Sequence, residues 1–112
     1  MKKKGLLLTI ALLTVIGVNA QTITNDIFWK TTKGTPIYSQ GGGIFRFPDP
    51  VTGEEHYYWY GVHYAGAETY QASPTGKTSN TGFTSVTCYK SDDLVNWTFV
   101  NDVITASSLG WS

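Results

Sequence analysis

Four stretches between positions 41 and 100 carry the alternating or continuous apolar pattern that predicts β-strands. They are residues 41–47, 56–64, 83–90 and 97–100. The second stretch is aromatic on both of its faces, with Tyr57 and Trp59 on one and Tyr58, Tyr60 and Tyr64 on the other. A strand that is apolar on both faces is packed between other layers. This pattern predicts a sheet that must be covered on two sides.

Turn-forming residues separate the four predicted strands. Pro50 and Gly53 predict a hairpin loop over residues 49–54, and the Ser, Asp and Asn side chains of residues 91–96 predict a tight reversal. Residues 65–82 are predicted to form a long polar loop, a type of segment that is often functional, and no helical pattern of useful length follows residue 20. Consecutive hairpins predict one antiparallel meander, which suits either a propeller blade or one sheet of a sandwich.

The first twenty residues have the pattern of a secretory signal peptide. Three lysines at positions 2–4 precede an apolar run over residues 6–18, and Val18-Asn19-Ala20 supplies the small residues of a cleavage site. The apolar run is shorter than the ~20 residues of a membrane-spanning helix. We therefore expect cleavage after Ala20 and a secreted or periplasmic protein with no membrane association after signal removal.

The charge and cysteine content of the mature part narrow the classes of partner. Once the three lysines of the signal are removed, five basic and eight acidic side chains remain, a net charge of −3. This balance argues against a nucleic-acid partner, which requires a basic patch. Cys88 is the only cysteine, so no intrachain disulfide can form, and its β-forming neighbours predict a buried, inert thiol.

Two segments carry a resemblance to a known family. Gly41-Gly42-Gly43-Ile44-Phe45, followed by Tyr57-Tyr58-Trp59-Tyr60-Gly61, resembles the first two strands of the N-terminal blade of family 43 glycoside hydrolases. Ser91-Asp92-Asp93-Leu94-Val95-Asn96-Trp97 is similar to the S-x-D-L-V-x-W turn between the outer strands of that blade. Together these segments span residues 41–100, and the glycine entry with the tyrosine-rich strand resembles the exo-β-1,3-galactanases and related arabinan- or arabinogalactan-acting members.

The resemblance implies an all-β protein that forms the first four-stranded blade of a five-bladed β-propeller. Residues 1–20 would then be the signal peptide, residues 21–40 an irregular lead-in, and residues 41–112 the first blade and the start of the next. It implies a secreted, monomeric glycosidase that cleaves terminal arabinofuranose or galactose from plant arabinogalactan-type polysaccharide with inversion and without a cofactor. Such a chain is an N-terminal fragment, which we expect to be inactive by itself.

The resemblance also bears on the catalytic groups. Inverting hydrolysis uses an acid and a base about 6.5–9.5 Å apart. In the wider family the base is an Asp at the start of the first inner strand, where this chain has Gln40-Gly41-Gly42-Gly43. The galactanase-like branch also lacks this Asp, and the family's general acid belongs to later blades. We therefore predict no catalytic residue in this chain.

Four residues are the candidates for substrate binding. Gln40 and Gly41 open the first inner strand, near the implied propeller axis, while His63 and Glu68 end the second strand and enter the predicted loop. Amide, imidazole and carboxylate groups bind sugar hydroxyls, and a glycine lets backbone approach a ligand. Gln40, Gly41 and Glu68 each have a structural alternative: a cap, a packing glycine and a solvated charge, respectively. No metal site is predicted, because His63 has no paired ligand.

Several other residues are assigned to structure. Asp49-Pro50 imitates the family's Asp-Pro signature but follows the inner strand, so a hairpin turn is predicted there. His56 and Glu55 are assigned to the surface beside that turn, and the aromatic residues of the second strand, together with Trp97, to the core. Two further functions stay open: a non-catalytic carbohydrate-binding protein of the same fold, and a small β-sandwich adhesion module.

Overall fold

A computed structural model describes residues 21–76 and 81–111. The predicted signal peptide, residues 1–20, lies outside the described residues, as do residues 77–80 of the predicted loop. Among the helices of the described ranges, none has the length and apolar character needed to cross a membrane.

One four-stranded antiparallel sheet forms the body of the molecule. Its strands are β1 (Gln40–Pro48), β2 (Glu55–Tyr64), β3 (Phe83–Ser91) and β4 (Thr98–Thr105). Neighbours in the sheet are neighbours in sequence, in the order β1-β2-β3-β4. The predicted antiparallel meander and the mostly β class are therefore confirmed.

The structure corrects the sequence prediction in two places. Residues 65–72 were predicted as part of a long loop, but they form a helix, α1 (Ala65–Ala72). The fourth strand was predicted over residues 97–100, whereas β4 runs on to Thr105 and is followed by a 3₁₀-helix (Ser107–Leu109). Two register shifts in the β3–β4 pairing, between Val86 and Thr87 and between Cys88 and Tyr89, accommodate the longer strand.

The lead-in ends at residue 39, because Gln40 belongs to β1. It crosses one face of the sheet, which we call the covered face. Trp29 of the lead-in packs edge-on against Trp59 of β2, with ring centroids 5.8 Å apart. The Thr87 hydroxyl of β3 donates to the carbonyl oxygen of Tyr38 at 2.6 Å, and the Tyr38 N–H donates to the Tyr89 hydroxyl at 3.1 Å. An aromatic layer and partly buried hydrogen bonds thus fix the lead-in to the middle strands.

The opposite face, which we call the open face, carries a second aromatic set. Because side chains alternate along a strand, Tyr58 and Tyr60 of β2 lie there with Phe45 and Phe47 of β1 and Cys88 of β3. Phe47 stacks on Tyr58 with ring centroids 4.3 Å apart, and Cys88 is buried, as predicted. Phe45 is 56% exposed. These aromatic rings pack mainly against one another within the sheet.

The turn between β3 and β4 precedes Trp97, the most buried side chain among the described residues. The Asp93 carboxylate accepts bonds from the N–H groups of Asn96 and Val95 at 2.7 and 2.9 Å, and these bonds hold its pKa well below the usual range. Leu94 takes a positive φ of 65°. The turn directs Trp97, which is 1% exposed, onto Trp59, and the two ring centroids lie 5.2 Å apart. The predicted tight turn is present.

Candidate functional site

Three elements meet at one end of the sheet, where β1 begins, β2 ends and α1 starts. Gln40, the first residue of β1, pairs with Val62, which directly precedes His63. Helix α1 follows Tyr64 without a linker and carries Glu68 in its first turn. All four predicted binding residues, Gln40, Gly41, His63 and Glu68, therefore lie at this end.

The glycine entry forms a bulge rather than a flat strand. The β1–β2 register shifts between Gln40 and Gly43, so the strand gains a residue there. Gly41 has a φ of 66°, and an added Cβ at Gly42 would lie 1.6 Å from the carbonyl oxygen of Tyr60. Gly42 therefore permits the close approach of β1 to β2, whereas Gly41 is exposed and supplies the left-handed turn.

His63 and Glu68 are brought into contact. The Nε2 atom of His63 lies 2.8 Å from Oε1 of Glu68, but the two atoms do not have the geometry of a hydrogen bond. His63 is largely buried and Glu68 is mostly exposed. The pair thus presents a carboxylate to solvent beside the start of β1.

Tyr38 supports this pair and was not predicted from the sequence. Its ring stacks on the His63 ring with centroids 4.3 Å apart and an interplanar angle of 4°, and its hydroxyl donates to Oε1 of Gln71 at 2.7 Å. Burial, followed by the nearby negative charge of Glu68, raises the pKa of Tyr38. Tyr38 therefore links the lead-in, β2 and α1 at the candidate site.

The functional groups of the four predicted residues limit the chemistry available at this end of the sheet. Gln40 offers amide donor and acceptor groups, and Glu68 offers a carboxylate, which together can bind hydroxyl groups. Of the four predicted residues, Glu68 alone is a carboxylic acid. An inverting hydrolysis needs two carboxyl groups with a water between them. The four predicted residues thus supply groups that can hydrogen-bond to hydroxyls, and they do not form a pair of carboxylic acids.

Asp49 has a structural role in the β1–β2 turn. Its Oδ1 atom accepts bonds from the N–H groups of Val51 and Thr52 at 2.7 and 3.0 Å, and these bonds lower its pKa. The Gly53 N–H donates to the Asp49 carbonyl oxygen at 2.8 Å. The predicted hairpin is therefore present, and the Asp-Pro dipeptide lies at the end of the sheet remote from Gln40.

The surface assignment of His56 was wrong. Its side chain is 12% exposed and lies between two carboxylates, with Nε2 3.4 Å from Glu54 and Nδ1 in close contact with Asp92. Residues of two separate turns form this cluster, so no local sequence signal predicts it. Within the described ranges, no group of three or more His, Cys, Asp or Glu side chains has the arrangement of a metal site.

Comparisons with known proteins return nothing: no family model, no curated protein and no solved structure matches the chain.

Proposed function

We propose that this chain is the first blade of a secreted, five-bladed propeller glycoside hydrolase. Its substrate would be terminal arabinofuranose or galactose on plant arabinogalactan-type polysaccharide, cleaved with inversion. The observation that carries the proposal is the contact between His63 and Glu68 beside the strand end that bears Gln40. The resemblance of residues 41–100 to the family's first blade supplies the substrate class.

In this proposal the blade binds sugar and does not cleave it. Glu68 and Gln40 bind hydroxyl groups of the terminal sugar, and His63 holds Glu68 in position. The general acid comes from a later blade of a longer polypeptide, and the Asp base of the wider family has no counterpart at the start of β1. The aromatic residues of the open face, such as Phe45 and Tyr60, pack against the adjoining blade.

A second function is favoured by one feature of the sequence. The start of β1, where the wider family has its catalytic Asp, is Gln40-Gly41-Gly42-Gly43 and contains no carboxylate. This favours a non-catalytic carbohydrate-binding protein of the same fold.

Sugar release separates the two functions. The product of the complete reading frame is incubated with arabinogalactan, and released arabinose and galactose are measured by anion-exchange chromatography. We expect release, and we expect Glu68→Gln to lower kcat/KM by about 10- to 100-fold, because a hydrogen bond to a charged group is lost. Glu55→Gln is the matched control, since Glu55 pairs with Arg46 at the opposite end of β2. Binding without release would leave only the non-catalytic function.

A further inference from the structure

A cavity of about 420 Å³ lies between the lead-in, helix α1 and the sheet. Five aromatic side chains contribute to its wall: Phe28, Trp29, Tyr38, Trp59 and Tyr70. Phe28 and Tyr70 close one side as an edge-to-face pair with centroids 5.8 Å apart. The volume falls in the range of small-molecule pockets, which is ~300–1,000 Å³.

The polar groups of this cavity are few and uncharged. Gln71 accepts the Tyr38 hydroxyl with its amide oxygen at 2.7 Å, which leaves its two amide N–H donors for a ligand. Ser39 also lines the cavity, and its buried hydroxyl has no hydrogen-bond partner among the described residues. Gln40 belongs both to this lining and to the candidate site. All of the lining residues are uncharged at neutral pH.

We infer that this cavity binds a neutral sugar ring. The apolar face of a sugar packs on aromatic rings, and its hydroxyls accept bonds from amide donors. A charged ligand would lose its hydration without gaining a charged partner, so the lining disfavours it. The inference rests on the proposed function and deepens it, because it adds a ring-binding pocket that shares Gln40 with the candidate site.

Binding of defined sugars to the full chain tests the inference. The probes are methyl β-D-galactopyranoside and methyl α-L-arabinofuranoside, with galacturonate as the charged comparison, and affinities are measured by calorimetry. We expect at least one neutral glycoside to bind and galacturonate to bind more weakly. Failure of both glycosides to bind, or equal binding of galacturonate, would overturn the inference.

Two variants assign any binding to the cavity. Gln71→Glu keeps an oxygen for the Tyr38 hydroxyl but removes the amide donors, and Gln21→Glu is its exposed control outside the cavity. Tyr70→Ala removes a wall residue that is 47% exposed, and Phe45→Ala on the open face is its control. We expect each cavity variant to weaken binding by about 3- to 10-fold, as for loss of one aromatic contact or hydrogen bond. The controls should bind like the parent chain.

The outcomes separate this inference from the proposed function. Unchanged affinity in both cavity variants overturns the inference, even if the complete reading frame releases sugar from arabinogalactan. Weakened affinity in both cavity variants supports it, even if no sugar is released and the hydrolase proposal fails.

Discussion

The two faces of the sheet have similar side chains but different surroundings. On the covered face, the lead-in supplies Trp29 and Tyr38, and hydrogen bonds from Thr87 and to Tyr89 fix its backbone to the sheet. On the open face, Phe45 and Tyr60 pack mainly within the sheet. The lead-in thus covers one of the two aromatic faces of β2.

The covered face therefore combines buried packing with the proposed binding pocket. The covered face has the most buried tryptophan of the described ranges, the cavity and the stacked Tyr38–His63 pair. Side chains of the middle strands, β2 and β3, are packed on this face, although Ile44 of β1 and Phe99 of β4 are partly exposed there. We expect substitutions there to affect both stability and ligand binding. On the open face, Tyr58 and Cys88 are buried, whereas Phe45 offers exposed surface for packing.

The largest expected effect is at Trp97. Trp97→Ala removes a ring that is 1% exposed and packs on Trp59, so we expect the free energy of unfolding to fall by about 3–5 kcal/mol. Phe45→Ala on the open face should cost much less, since that ring is already 56% exposed. Urea denaturation measures both. Equal losses would show that the two faces do not differ in packing.

A smaller effect is expected at Thr87, whose hydroxyl joins the lead-in to the sheet. Thr87→Val keeps the shape but leaves the Tyr38 carbonyl oxygen without its 2.6 Å donor, which should cost about 1–3 kcal/mol. Limited proteolysis should also cut the lead-in faster. Thr98→Val, at an exposed position on β4, is the control. An unchanged cleavage rate in Thr87→Val would contradict a lead-in fixed by this bond.

The smallest effect concerns pH and the open face. Burial, with the hydrogen bond to Cys88, raises the pKa of Tyr60 to about 12. The folded chain therefore keeps this proton between about pH 10 and pH 12 while the unfolded chain loses it. Stability from this group is present below pH 10 and falls as the pH rises to 12. Urea denaturation at a series of pH values should show that Tyr60→Phe reduces this fall; an identical fall in both proteins would contradict the shift.

The sequence predicted the four strands of the sheet, but it did not predict helix α1 or the full length of β4. The strands follow from alternation and turn residues, which are local signals. Helix α1 was missed because it has only eight residues, with Gly66 as its one buried position. The end of β4 was missed because Asn101 and Asp102 resemble a turn, whereas bulges place them in the strand and Asp102 accepts the Ser85 hydroxyl at 2.7 Å.

Only part of the candidate site was predicted, because sequence signals of this kind are local. Gln40 and His63 were identified from their positions at strand ends, and the β1–β2 pairing brings those ends together. Tyr38 and Gln71 are separated by 33 residues, and their bond depends on the lead-in crossing the sheet. No spacing or composition signal indicates such a crossing, so this part of the site required the three-dimensional structure.

The most direct test of the covered face as the binding face uses the four tryptophans as reporters. Their indole N–H signals are followed by ¹⁵N NMR while methyl β-D-galactopyranoside or methyl α-L-arabinofuranoside is added to the full chain. Trp29 and Trp59 line the cavity, whereas Trp97 and Trp111 do not. We predict that the signals of Trp29 and Trp59 shift with a common saturation curve and that the Trp111 signal stays in place. Saturable binding that leaves Trp29 and Trp59 unmoved would contradict a binding site on the covered face.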